Sequence, residues 1–354
     1  MARNRLLTPQ YQHHKDNPNC LIIVPLFLQQ ECLDHLYLID NIHKCDKENE
    51  IRDGKFLDSI NQSMIDKGFV FNTILSSNGL LCLLFCKVIG LVYRVCLYNP
   101  LTSEHHFFAD PELARAGNPT RSIINPVTSS HCFGFGYDSR NRKYKFVRIE
   151  ISLRDQKSRR NGTNSWTCLI EVLTLGENGS HRLYNRSIRE SYSQTESSGV
   201  ELGGAIHWLW KGTISKNYII ISFDLLKENW VVNEKPSFVI GTDYILSVLG
   251  GCLALTVSCG NQVVIWKMKE YGVSKSWTRE FVIRGRFPIT LGSPGMIYPL
   301  FVLSSGKLLV SYKNEALYSY DSEDKCFEAI YVPALVPKYF KAVCFTPSLV
   351  SPII

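Results

Sequence analysis

The chain has 354 residues, 45% of them apolar and 20% charged, enough to bury a sizeable core as a soluble globular protein. Lysine and arginine exceed aspartate and glutamate by 39 to 32, a net charge of +7 with no long basic block. That excess permits an acidic partner but does not call for nucleic acid. Twelve cysteines are scattered without a CxxC pair, which excludes the usual zinc-knuckle and thioredoxin spacings and fits reduced thiols in the cytoplasm or nucleus.

The first residues hold no apolar run long enough for a signal peptide. Short apolar or alternating stretches then recur along the chain, first at 20–24 and 36–39. The stretch from Leu80 to Tyr98 is the most apolar. Lys87 and Arg94 inside it would each cost about 2.5–3.5 kcal/mol at a bilayer centre. With Gly90 at its middle, it reads as two buried strands and not as a membrane span. Asp110 as N-cap and Pro111 as first helical residue mark the one helix-like segment. Val147, Ile149 and Ile151 alternate with Arg148 and Glu150 as a half-exposed strand should. Strands are further expected at 168–175, 205–210, 218–223, 244–249, 253–257, 263–268, 277–283, 307–312, 317–320 and 327–332, with a tight turn at Tyr271 and Gly272.

A faint repeat runs through this series. Gly79, Gly204, Gly251 and Gly306 each precede an apolar strand, and three of those strands lead on to a turn beginning at Asn99, Asp224 or Asp321. The spacing is close to the ~40–50 residues of a four-stranded propeller blade. The expected fold is all-β, a propeller-like ring of about six to seven antiparallel blades.

Candidate chemistry is sparse. The glycines of Phe133 to Tyr137 lack the lysine and following helix of a phosphate loop, so close strand packing is the better reading. His13 with His14, and His105 with His106, are neighbours that point to opposite faces of a strand and cannot converge on a metal. His207, beside Trp208 and Trp210, reads as a core or interface histidine. No metal, cofactor or catalytic residue is assigned. Two exposed connections are the candidate partner-binding segments: the 110–130 stretch with Arg115 and Arg121, and the basic run with Arg154, Lys157, Arg159 and Arg160.

Six segments in order carry a resemblance. They are SSNGLLCL at Ser76, YNPLTSE at Tyr98, FGFGYDS at Phe133 followed by YKFVR at Tyr144, GGAIHW at Gly203, ISFD at Ile221, and IWKMKEYGVSKSW at Ile265. Together they resemble the F-box-associated, kelch-like propeller domain of plant F-box proteins. The resemblance implies a non-catalytic substrate receptor of an SCF-type cullin-RING ubiquitin ligase, whose propeller holds a client protein for ubiquitination. The Leu-Pro start and amphipathic helices of an F-box are not found, and residues 6–14 resemble the stretch after one. The division expected is therefore 1–19 as a remnant following a missing F-box and 20–349 as the propeller domain. An adaptor contact is expected only with an F-box upstream, and neither nucleic acid nor membrane is expected as a partner. The alternatives are a stand-alone propeller scaffold, or a glycan-acting propeller enzyme with paired carboxylates at its axis.

Overall fold

A computed structural model describes residues 20–25, 36–39, 51–54, 64, 66–87, 92–108, 130–153, 166–176, 180–188, 190–194, 198–234, 241–284, 296–330 and 340–353. Their regular structure is antiparallel strand, apart from a helical residue at Met64 and one 3-10 turn. Blade 1 comprises β4 (Val70–Ser77), β5 (Leu80–Lys87), β6 (Val92–Asn99) and β7 (Glu104–Phe108). Blade 2 comprises β8 (Ser130–Asp138), β9 (Lys143–Leu153), β10 (Trp166–Thr174) and β11 (His181–Ile188). Blade 3 has five strands: β12 (Tyr192–Gln194), β13 (Val200–Leu202), β14 (Ala205–Gly212), β15 (Tyr218–Asp224) and β16 (Asn229–Glu234). Blade 4 runs through β17 (Asp243–Leu249), β18 (Cys252–Cys259), β19 (Gln262–Met268) and β20 (Trp277–Arg284). Blade 5 runs through β21 (Ile297–Val302), β22 (Leu308–Tyr312), β23 (Ala316–Asp321) and β24 (Cys326–Ile330).

The remaining sheet is composite. β25 (Phe340–Phe345) pairs with β1 (Cys20–Pro25), which continues to β2 (Leu36–Ile39) and β3 (Ile51–Gly54). The innermost strands β4, β8, β13, β17, β21 and β25 neighbour one another in closed order, so the ends of the described chain lock the ring. The expectation of about six to seven blades is thereby corrected. Five self-contained blades each come from one continuous stretch, and the rest is a closing sheet shared by both ends.

No single core holds the molecule together. Each sheet packs on its neighbours through alternating side chains, because successive strand residues point to opposite faces. On β8, Phe133 and Phe135 enter the core shared with blade 1, while Cys132 joins the core shared with blade 3. Leu21 and Ile22 divide in the same way between blades 5 and 1. Gly134 makes room for blade 3: a Cβ there would lie 2.6 Å from Trp208 Cζ2 and 2.7 Å from Ile206 Cγ2. Gly199 faces the same indole, with Trp208 Cε2 at 2.6 Å from its virtual Cβ. The indole Nε1 donates to the Phe133 carbonyl at 2.9 Å, which satisfies a donor that is otherwise fully buried. Close backbone packing is thus the role of the β8 glycines.

The four repeat glycines all sit at the turn joining an innermost strand to the next. Their φ angles are +83, +76, +68 and +82 for Gly79, Gly204, Gly251 and Gly306, a region where a side chain is strained. The turn-starting acids close the adjacent bends. Asp224 accepts from the backbone N–H groups of Leu226 and Lys227, and Asp321 from those of Glu323 and Asp324. Leu80 to Tyr98 is indeed two buried strands, β5 and β6. The expected tight turn at Tyr271 and Gly272 is present: Val273 N–H donates to the Glu270 carbonyl at 3.1 Å, and Gly272 has a φ of +78. β19 and β20 are joined by a wider loop that includes a 3-10 turn at Ser274–Ser276, closed by Lys269 N–H donating to the Ser276 carbonyl. The helix-like segment at 110–116 lies outside the described residues.

Candidate recognition site

The inner strands enclose a cavity of about 760 Å³ along the axis of the ring. Small residues set its width: Ser76, Ser77, Ser198, Gly199, Ser247, Gly250 and Gly251 stand where bulkier side chains would fill the channel. Gly203, Gly250 and Asn78 place one mouth at the end bearing the glycine turns.

The lining is polar at two levels. At the starts of the inner strands, Lys341 Nζ donates to Ser198 Oγ at 3.2 Å, and Ser198 Oγ shares a 3.0 Å hydrogen bond with Thr73 Oγ1. Three residues further along the same inner segment, about 10 Å at strand rise, stands Glu201. Its Oε1 accepts from Gly204 N–H at 3.2 Å and its Oε2 from Ser77 Oγ at 3.4 Å. Burial raises the Glu201 carboxyl above its ordinary value, against those two hydrogen bonds. Ser311, 1% exposed, and Ser247 line the same cavity with hydroxyls that lack a hydrogen-bond partner among the described residues.

Beside this channel, two contacts fasten neighbouring blades. His207 is buried, its Nδ1–H donates to the Val200 carbonyl at 3.3 Å, and its Nε2 accepts from the Tyr271 hydroxyl at 2.8 Å. That tautomer is the neutral one, in keeping with burial that lowers its pKa to about 4. It is an interface histidine. Between blades 2 and 3, the buried Lys145 ammonium bonds the Leu225 carbonyl, Glu228 Oε1 at 2.9 Å and Asp138 Oδ2 at 3.4 Å. Glu228 also accepts from Tyr184 and Arg182.

Arg115, Arg121, Arg154, Lys157, Arg159 and Arg160, the partner-binding candidates from the sequence, lie outside the described residues, as do His13 and His14. His105 and His106 flank opposite packing layers, on Phe107 and Phe108. The axial residues were missed because serines and a glutamate near turns carry no motif. Their signal was positional, as the segments just before the repeat glycines.

Chemically, the described lining can hold a ligand but does not show the carboxylate pair of glycoside cleavage. Glu201 is the sole carboxylate in the described lining, whereas that reaction uses two. Among the described residues no group of three or more His, Cys, Asp or Glu side chains could hold a metal, and no helix is long and apolar enough to cross a membrane.

Residues 33–352 match the family model described as the F-box associated beta propeller domain. The chain is 27% identical over 336 residues to the F-box protein At3g07870 of Arabidopsis thaliana, covering 86% of this chain and 75% of that protein. It is 27% identical over 300 residues to the F-box protein CPR1 of the same plant, covering 78% and 67%. Among solved structures, a chain of a nidogen–laminin complex aligns over 93% of this chain and 99% of its own, with TM-score 0.42 and 9% identity, a likeness too slight to bear on function.

Proposed function

Because the chain belongs to the F-box-associated β-propeller family, we propose that it is a protein-recognition module that presents a client for ubiquitination, as the substrate-binding domains of SCF-type receptors do. It performs no chemistry of its own. Family members act by holding a target beside a ubiquitin-loaded partner, so positioning is the whole contribution. The observation that carries the reading is the family match across residues 33–352, nearly all of the ring. The axial cavity, open among small residues at the glycine-turn end, supplies a concave place for a client to enter. Work in the cytoplasm or nucleus is part of the same proposal. It is supported by Cys82, Cys96 and Cys168, which are buried, unpaired thiols packed as small apolar groups.

Photo-crosslinking from the cavity mouth, with a photoreactive residue at Asn78 or Gly203, tests this in cell extract. A discrete protein client crosslinked from these positions, and absent when the probe sits at Val231 on the outer edge of blade 3, is the expected result. Crosslinking that is equal from both places, or no client at all, would refute it. Binding of a purified adaptor subunit by the chain alone is not expected.

A further inference from the structure

The Glu201 carboxylate has no cationic partner among the described residues, although it is largely withdrawn from water. Buried carboxylates are ordinarily neutralised by a nearby positive charge or by proton uptake. The other charged side chain in the lining, Lys341, sits about three strand residues away toward the opposite end and bonds Ser198. Ser247 adds a hydroxyl with no partner among the described residues, whereas Ser311, opposite Tyr298 in the ladder, lies toward the Lys341 end. Buried polar groups left in that state are costly, and a group entering the channel with several donors would satisfy them together. The walls between are apolar: Leu75, Val200, Leu246 and Leu300 would cover an aliphatic stem.

We propose that the axial channel is a binding site for a single cationic group, an ammonium or guanidinium on an aliphatic stem, held by Glu201 with Ser247. This deepens the recognition reading above and rests on it for the physiological source, a lysine or arginine side chain of a client. The same chemistry is carried by free basic amino acids. A cation here fits the cavity's volume and the single carboxylate, while an anion would face Glu201 alone at the glycine-turn mouth. The preference is local and runs against the chain's net positive charge.

The test is calorimetric titration of the whole chain with N-acetyl-Gly-Arg-Gly-amide, the same peptide with citrulline in place of arginine, and free arginine. Binding of the arginine peptide, with no binding of the citrulline peptide, is expected. Glu201→Gln keeps the acceptor for Gly204 N–H and should weaken affinity at least tenfold, about 1.4 kcal/mol. The exposed-turn control Glu323→Gln should leave it unchanged. Peptide binding stronger than that of free arginine supports a client side chain as the source, and equal binding supports a small basic ligand. Equal affinity for arginine and citrulline peptides overturns the assignment. So does a Glu201→Gln chain that binds like the unaltered one. If that variant does not fold, carbodiimide labelling of the unaltered chain decides. The arginine peptide protects Glu201 from labelling, and an unprotected Glu201 refutes the site. Client crosslinking that persists unchanged in Glu201→Gln would leave the recognition reading standing while removing this site from it.

Discussion

Replacing Lys145 by methionine removes one buried charge and leaves two. The ammonium side chain is 6% exposed, and its acid partners Asp138 and Glu228 are 1% and 7% exposed. Breaking a buried ion pair from one side costs about 3–5 kcal/mol, because the remaining charge is desolvated without compensation. Here both carboxylates keep other donors. Asp138 still accepts from the N–H groups of Arg140 and Asn141 and from the Asn141 amide, and Glu228 from Tyr184 and Arg182. The Leu225 carbonyl loses its ammonium donor. These retained bonds place the loss at the lower end, about 3 kcal/mol. With an unfolding entropy of about 2.1 cal/mol/K per residue, a cooperative chain of this length would melt about 4 °C lower. Differential scanning calorimetry with urea titration measures both. Lys307→Met, at an exposed pair with Glu328, should leave the melting temperature unresolved from the parent. Combining Lys145→Met with Glu228→Gln should cost less than the two separate losses added together. Equal small shifts for Lys145→Met and Lys307→Met would refute the view that this buried network fastens blade 2 to blade 3.

Gly134→Ala and Gly199→Ala each drive a methyl into Trp208, and overpacking of that kind costs about 1–3 kcal/mol. Both should lower the urea midpoint and red-shift the tryptophan emission, and an unshifted midpoint would count against the close inter-blade contact. His207 should stay neutral by NMR down to about pH 4. The unfolded chain takes up that proton near the ordinary value of 6.5, so this residue's contribution to stability is complete above pH 6.5 and declines as pH falls from there through 4. His207→Gln should flatten that part of the stability–pH curve. Asn99→Ala removes the amide that donates to the carbonyls of Ser348 at 3.0 Å and Val350 at 2.7 Å. Limited proteolysis should then nick the chain after Phe345 at lower protease concentration, while the rest of the ring persists.

What the sequence made legible follows burial. β5, β14, β18 and β22 are the second strands of their blades, covered on both faces, and their near-continuous apolar runs announce them. The outer strands do not. β7 reads EHHFF, β11 HRLYNRSI and β16 NWVVNE, mixed because one side meets solvent. Innermost strands fail for the opposite reason. Their ladder is open on the channel side, so β21 tolerates Pro299 with a register shift beside it, and β8 carries two glycines that a pattern search takes as breakers. The glycine repeat marked four turns correctly, because a positive φ is a demand that composition must meet. It could not fix the number of blades, since connection lengths vary independently of the turns. Nor could it reveal Glu201, whose meaning comes from facing a hollow rather than from its sequence neighbours.

The pairing of β1 with β25 has a mechanical consequence. Cys20 lies opposite Phe345 and Pro25 opposite Phe340, so the outgoing polypeptide on either flank departs from the same corner of the closing sheet. Tension applied between those two flanks would open the ladder like a zipper, one rung at a time from Cys20 and Phe345, instead of loading all rungs together. A module tethered at one flank and a cargo dragged through the other would therefore pull on the ring at its closing seam.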